Sequence, residues 1–223
     1  MSLIALHGFL GQPHDFKPLE IPGLKALNIF QTQVCLLRSW ALRFNRMLPK
    51  APILMGYSMG GRLALNCIIN NPTGFKAAII LAAHPGIAQE SLRFRRYEAD
   101  RIWAQRFMKE PWEPLMKSWH DQPALRASSV IKRQESDFER AALALALSYF
   151  SLGNQGYLVR QINNLALPIL WLAPQEEASN VAGIKFKHAL SRLIYMPKGG
   201  HRFMMSEPKA TSRLIQGFLN TLE

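Results

Sequence analysis

The sequence predicts an α/β fold: a mostly parallel sheet of about six strands, helices on both faces, and a helical insertion between two of the strands. Three observations carry this expectation. Short apolar runs alternate with stretches of helical period, the pattern of strands joined by crossover helices. One segment, Pro52-Ile-Leu-Met-Gly-Tyr-Ser-Met-Gly-Gly-Arg62, passes from an apolar run through a glycine-flanked serine into a helical run. From His84 to about Asn164 there is no convincing buried strand, only charged helical periods punctuated by Pro111, Pro114 and Pro123.

Taken in order, Ser2 to Leu6 reads as a buried first strand that runs into His7-Gly8-Phe9-Leu10-Gly11. Leu24 to Phe30 reads as the second strand. Val34 to Leu48 has apolar residues at helical spacing, with Arg38, Arg43, Arg46 and Lys50 among its polar positions, and reads as an amphipathic surface helix that could dock an acidic partner. Ile53 to Met55 is the third strand and Leu63 to Ile69 the helix after it, ended by the breakers Asn70-Asn71-Pro72-Thr73-Gly74. Ala77 to Ala82 is a fourth buried strand. Within the insertion, Leu92–Tyr97, Ile102–Phe107 and Ala141–Phe150 have helical character. Leu167 to Ala173 and Leu193 to Met196 are the fifth and sixth strands, and Leu214 to Leu222 closes the chain as part of an amphipathic helix. Residues 1–83 and 165–223 are thereby assigned to a sheet core and 84–164 to a helical cap. An insertion at the carboxyl edge of a parallel strand lies over the edge where such sheets bind ligands.

Composition narrows the function classes. The 223 residues carry 27 Lys and Arg against 15 Asp and Glu, a net charge of +12. Residues 84–140 hold 11 of the basic and 9 of the acidic residues, so the surplus lies on the flanking parts, where 16 basic residues face 6 acidic ones. A basic surface attracts anionic partners, and an anionic small molecule or an acidic protein fits this balance. No nucleic-acid-binding motif accompanies the charge. No run of 18 apolar residues suggests a membrane span, and the N-terminus lacks the features of a secretory signal. Cys35 and Cys67 lie in apolar, helix-like runs and read as buried free thiols, in keeping with a reducing, cytoplasmic setting. No Cys/His spacing resembles a zinc site.

The chemistry centres on Ser58. In a Gly-x-Ser-x-Gly frame between strand and helix, glycines remove the side chains that would collide in the turn, and the hydroxyl stands at the sheet edge. A serine needs a base to take its proton, and the base needs a carboxylate to hold its tautomer. In this chain order the acid belongs after the fifth strand and the histidine after the sixth. His201, behind Gly199 and Gly200, is the base, and Glu176 and Glu177 are the available acids. The amides of Met59, after the serine, and Phe9, after the first strand, are placed to form an oxyanion hole. His7 reads as structural. Arg62 lies on the first turn of the helix behind the serine, and Arg93, Arg96 and Arg133 lie in the cap. Several arginines aimed at one pocket would favour a substrate with more than one carboxylate.

These stretches resemble the α/β-hydrolase family. Within it they are similar to the 2-succinyl-6-hydroxy-2,4-cyclohexadiene-1-carboxylate synthases of menaquinone synthesis. The resemblance rests on Leu6–Phe16, Gly56–Arg62, His84-Pro-Gly-Ile87, Asp100–Phe107, Glu110-Pro111, Trp119–Pro123 and Gly199-Gly-His201. It implies a hydrolase fold shortened at its N-terminal side, with Ser58 and His201 catalytic and Glu177 at the position of the family's aspartate. It also implies Tyr57, Arg62, Arg96, Trp119 and Arg133 as substrate-binding residues, and elimination of pyruvate from a tricarboxylate without a cofactor. The alternatives on the same scaffold are a serine carboxylesterase, such as one acting on a pimeloyl-acyl-carrier-protein methyl ester in biotin synthesis, and a hydrolase-fold binding protein without catalysis.

Overall fold

The computed structural model describes residues 2–126 and 128–222. The chain opens with β1 (Leu3–Leu6) and β2 (Leu24–Leu27), followed by α1 (Leu37–Asn45), β3 (Ile53–Tyr57), α2 (Met59–Asn70) and β4 (Ala77–Leu81). Helices α3 (Glu90–Lys109), α4 (Trp112–His120), α5 (Pro123–Arg126), α6 (Arg140–Tyr149) and α7 (Val159–Asn163) come next. Then follow β5 (Ile169–Pro174), α8 (Ala178–Val181), β6 (Arg192–Met196), α9 (Phe203–Ser206) and α10 (Pro208–Asn220).

The six strands form one sheet in the order β2-β1-β3-β4-β5-β6, and every neighbouring pair is parallel. The chain moves outward from β1 to β2 and then returns past β1 to β3. The crevice at such a reversal, outside the carboxyl ends of the strands, is where open parallel sheets bind ligands. Here it is bounded by the loop after β1 and the turn after β3, which carries Ser58.

Strand residues alternate between two apolar layers, as the pleat requires. Ile4, Leu6, Leu54, Ala78, Ile80 and Trp171 face a core shared with α1, α2 and α7. Leu3, Ala5, Met55, Ile79, Leu81 and Leu172 face the opposite layer, which includes Phe203, Ile215 and Phe218. Burial on both faces explains why these strands read as continuous apolar runs.

A third apolar cluster belongs to the helices between β4 and β5. Phe107 of α3, Leu115 and Met116 of α4, and Leu143 and Leu147 of α6 pack together with Leu10 from the loop after β1. These helices therefore rest on that loop and cover the carboxyl edge of the sheet. Helix α7, although it lies within the insertion by sequence, buries Val159 and Ile162 in the sheet core beside α2.

Some elements differ in extent from the sequence expectation. The second strand stops at Leu27, because the Asn28 side chain accepts the Phe30 N–H at 2.9 Å and turns the chain into a single 3₁₀ turn, Ile29–Gln31. The separate helical runs at 92–97 and 102–107 are one 20-residue helix, α3. The last helix begins at Pro208, whose fixed φ suits a first helical position. Cys67 is buried, but Cys35 is only half-buried, since it precedes the helix rather than lying in it; both are free thiols. Among the described residues, no helix is long and apolar enough to cross a membrane.

Candidate active site

The turn that carries Ser58 is built from close backbone approaches. A Cβ on Gly56 would collide with the backbone of Gly60, and one on Gly60 with the carbonyl oxygens of Leu6 and His7. With these side chains absent, α2 packs directly against β1 and β3. Ser58 itself adopts φ 52° and ψ −115°, strained for a residue with a Cβ. Its N–H donates to the Leu81 carbonyl at 2.8 Å and its carbonyl accepts from the Arg62 N–H at 3.1 Å, so the strained residue is held from both sides.

His201 reaches Ser58 from the turn after β6. The Ser58 hydroxyl donates to His201 Nε2 at 2.9 Å, and His201 Nδ1–H donates to Glu177 Oε1 at 2.6 Å. Of the two glutamates the sequence left open, Glu177 is half-buried against the histidine, while Glu176 is exposed. Tyr57 donates its hydroxyl to the His201 carbonyl at 3.1 Å, and burial pushes its pKa upward, so it stays a donor at neutral pH.

Phe9 and Met59 flank the serine. Met59 is the first residue of α2, whose opening N–H groups have no partner inside the helix. Gly8 brings the loop after β1 against the serine: a Cβ there would stand 3.2 Å from Ser58 Cβ. Leu10 and Ala82, which also border the site, share the positive φ of Ser58. Strain of this kind persists where surrounding packing enforces it.

A cavity of about 380 Å³ opens above the serine. Ser58, His201, Glu177, Phe9, Met59, Tyr57, Arg62, Arg96, Trp119 and Arg133 all line it, whereas Glu176 does not. Four arginines, Arg62, Arg96, Arg133 and Arg202, face it with only two carboxylates, Asp100 and Glu177. The arginines differ in how they are held. Arg62 is buried and its Nη1 has no hydrogen-bond partner among the described residues. Burial, and then the neighbouring Arg96, lower its pKa to about 10, which still leaves it charged at neutral pH. Arg96 donates from Nε to both oxygens of Asp100, at 2.9 and 3.0 Å, and Ser151 donates to the same carboxylate. Arg133 forms a 2.6 Å ion pair with Asp15 from the segment after β1, and both side chains are buried. Trp119 stacks obliquely on Phe9, with ring centroids 4.8 Å apart.

Arg93 lies outside this lining, although it stands only three residues before Arg96. His7 proves structural in its contacts: its Nδ1–H donates to the Gly8 carbonyl and its Nε2 accepts the Ile29 N–H. Arg202 and His84 are among the cavity residues that the sequence reading did not offer as site residues. Arg202 could have been noticed as the neighbour of His201. His84 had only its place at the end of the fourth strand as a signal. Its Nδ1 accepts the Gly86 N–H at 3.1 Å, which leaves Nε2 as the donor. Burial, followed by the charges of Arg62 and Arg96, brings its pKa down to about 4, so it is neutral at physiological pH. Among the described residues no cluster of His, Cys, Asp and Glu could hold a metal ion.

The arrangement can move a proton from a reacting group to an imidazole, stabilise developing negative charge beside the serine, and hold a polyanion. Comparison with known proteins places the chain in a family. Residues 5–214 match the alpha/beta hydrolase family. The 2-succinyl-6-hydroxy-2,4-cyclohexadiene-1-carboxylate synthase of Serratia proteamaculans is 32% identical over 177 residues, covering 74% of this chain and 67% of that protein. The synthase of the same name from Salmonella typhimurium is 29% identical over 199 residues, covering 79% and 78%. The structure of MenH from S. aureus superposes with a TM-score of 0.84 at 21% identity, over 100% of this chain and 94% of that one. A malate-bound thermophilic esterase from Thermogutta terrifontis gives 0.72 at 15% identity, over 100% and 90%. At these identities the two structures speak for the fold.

Proposed function

The chain belongs to the alpha/beta hydrolase family, and from that premise we propose that it is a synthase of menaquinone biosynthesis. It eliminates pyruvate from a succinyl-enolpyruvyl-hydroxycyclohexene carboxylate, with Ser58, His201 and Glu177 as its catalytic triad. The observation that carries this reading is the joint presence, in one cavity, of the Ser58–His201–Glu177 chain and the three arginines Arg62, Arg96 and Arg133. A simple ester needs the first feature; a tricarboxylate needs both. The synthases named above, similar over most of this chain, support the same choice.

The reaction follows from the geometry. Ser58, with His201 taking its proton, is the base that removes the hydrogen next to the succinyl carbonyl. The electron pair moves through the ring, the bond from ring carbon to enolpyruvyl oxygen breaks, and the departing enolate takes a proton to become pyruvate. Charge on the carbonyl oxygen is met by the amides of Met59 and Phe9, and a single donor of that kind is commonly worth about 10²–10³ in rate. Glu177 holds His201 in the tautomer that accepts on Nε2. Arg62, Arg96 and Arg133 bind the carboxylates, and Tyr57 and Trp119 shape the wall around the ring. The two free thiols fit a reducing cytoplasm.

The decisive experiment measures pyruvate release from the enolpyruvyl tricarboxylate by the wild type beside Ser58→Ala. Release by the wild type and not by the variant supports the synthase and the role of the serine. A folded protein that releases none but hydrolyses simple esters would transfer the assignment to a carboxylesterase. The second reading has its own support: the 16 basic against 6 acidic residues outside 84–140 would steer an acidic acyl carrier protein to this surface. Inertness in both assays would leave a binding protein on a hydrolase scaffold.

A further inference from the structure

Arg202 directly follows His201, yet the residue is only 6% exposed. A buried guanidinium is costly unless its donors are satisfied. No carboxylate among the described residues pairs with it. Instead Nη1 donates to the Ser129 carbonyl at 2.8 Å and Nη2 to His120 Nδ1 at 2.8 Å, while the backbone N–H of Arg202 donates to Ser128 Oγ at 3.2 Å. All three partners belong to the covering helices and their connections. His120 ends α4, and Ser128 and Ser129 follow α5.

The histidine partner is suited to this task. His120 can accept on Nδ1 only while neutral, and burial together with the Arg202 charge lowers its pKa, with Asp121 and Arg133 as its other charged neighbours. The turn that carries His201 is short. It is a single 3₁₀ turn, Gly200–Arg202, entered through Gly199 and Gly200, both with positive φ. From the sheet side it is held by the Tyr57 hydroxyl on the His201 carbonyl. From the other side it is held by Arg202.

We propose that Arg202 is a positioning residue that ties the His201 turn to His120, Ser128 and Ser129 of the cover, and that these ties align the imidazole on Ser58. The inference rests on the reading of Ser58 and His201 as the reactive pair. An arginine with its donors committed in this way acts through the histidine and not as one more carboxylate anchor.

The test uses an uncharged fluorophosphonate ester, which reports on Ser58 whatever the natural substrate is. The maximal inactivation rate and the half-saturating concentration are measured separately for wild type, Arg202→Gln, His120→Ala and the double variant, with thermal unfolding recorded for each. We expect each single variant to lower the maximal rate about tenfold with little change in half-saturation, because misplacing a catalytic group costs rate rather than binding. The double variant should be no slower than the worse single one, as expected for two ends of one contact. Wild-type labelling together with an unchanged maximal rate in Arg202→Gln would overturn the proposal, as would multiplicative effects of the two substitutions. If Arg202→Gln does not fold, His120→Ala decides alone by the same criterion. A wild type that is not labelled at all would instead overturn the reading of Ser58, and this proposal with it.

Discussion

The Glu177 carboxylate accepts the His201 Nδ1–H at 2.6 Å across 24 residues of sequence. The longer side chain of glutamate spans the distance from the turn after β5 to the imidazole. Replacing the carboxylate by an amide of equal shape removes the charge and can hold the histidine in the wrong tautomer. Turnover of Glu177→Gln should fall by roughly 10³–10⁴ with folding intact, by analogy with the aspartate-to-asparagine change in serine proteases. Glu176→Gln, at an exposed position, should leave turnover near wild type. The reverse ranking in a steady-state assay would show that the other glutamate is the acid.

Arg62 presents a different balance. Its Nη1 is buried without a partner among the described residues, and an uncompensated buried polar group costs about 1–3 kcal/mol. Arg62→Met, similar in length and apolar, should therefore stabilise the substrate-free protein by about 1 kcal/mol, a rise of roughly 2–4 °C in Tm for a chain of this size. The same variant should raise KM for the tricarboxylate. A calorimetric scan and a substrate titration on one preparation check both, and a lowered Tm would show that the guanidinium is better satisfied than its surroundings imply.

His84 supplies a pH dependence whose sign follows from its environment. Its folded pKa, about 4, lies below the ordinary 6.5. Between those values the unfolded chain binds more protons than the folded one, so stability rises with pH across this window. The contribution is fully present above about pH 6.5 and is lost as pH falls toward 4; it is on the order of 3 kcal/mol. His7 and His120, both lowered mainly by burial, act in the same direction. Urea unfolding of wild type and His84→Gln at pH 7.5 and 4.5 checks this. The variant should lose less stability on acidification, and equal losses would remove His84 from the explanation.

Gly60 should tolerate no side chain. A Cβ there would overlap the carbonyls of Leu6 and His7, and relief would require moving β1 or α2 away from each other. Gly60→Ala should be insoluble or unfold well below the wild type. Gly217→Ala, on α10 with open space around its Cβ, should be neutral or slightly stabilising, since alanine is favoured over glycine inside a helix by about 1 kcal/mol. Thermal scans of the pair provide an internal control.

The order of strands and helices, the serine turn and the place of His201 were all legible in the sequence, for one physical reason. They depend on local chemistry: buried parallel strands must be continuously apolar, the sharp turn at Ser58 demands glycines at 56 and 60, and the histidine needs a loop after the last strand. Nothing local distinguishes Glu176 from Glu177, because a one-residue shift in a turn changes which carboxylate faces the imidazole. The family resemblance implied Glu177, and Glu177 is the carboxylate that the fold brings to the imidazole. Tertiary structure sorted the arginines. Arg93 and Arg96 stand one helical turn apart, yet only Arg96 reaches the cavity. Arg202, beside His201 in sequence, is joined to the cover by partners more than 70 residues away. The neutrality of His84 likewise depends on burial and on the charges of Arg62 and Arg96, which come together only when the helices between β4 and β5 close over the sheet edge.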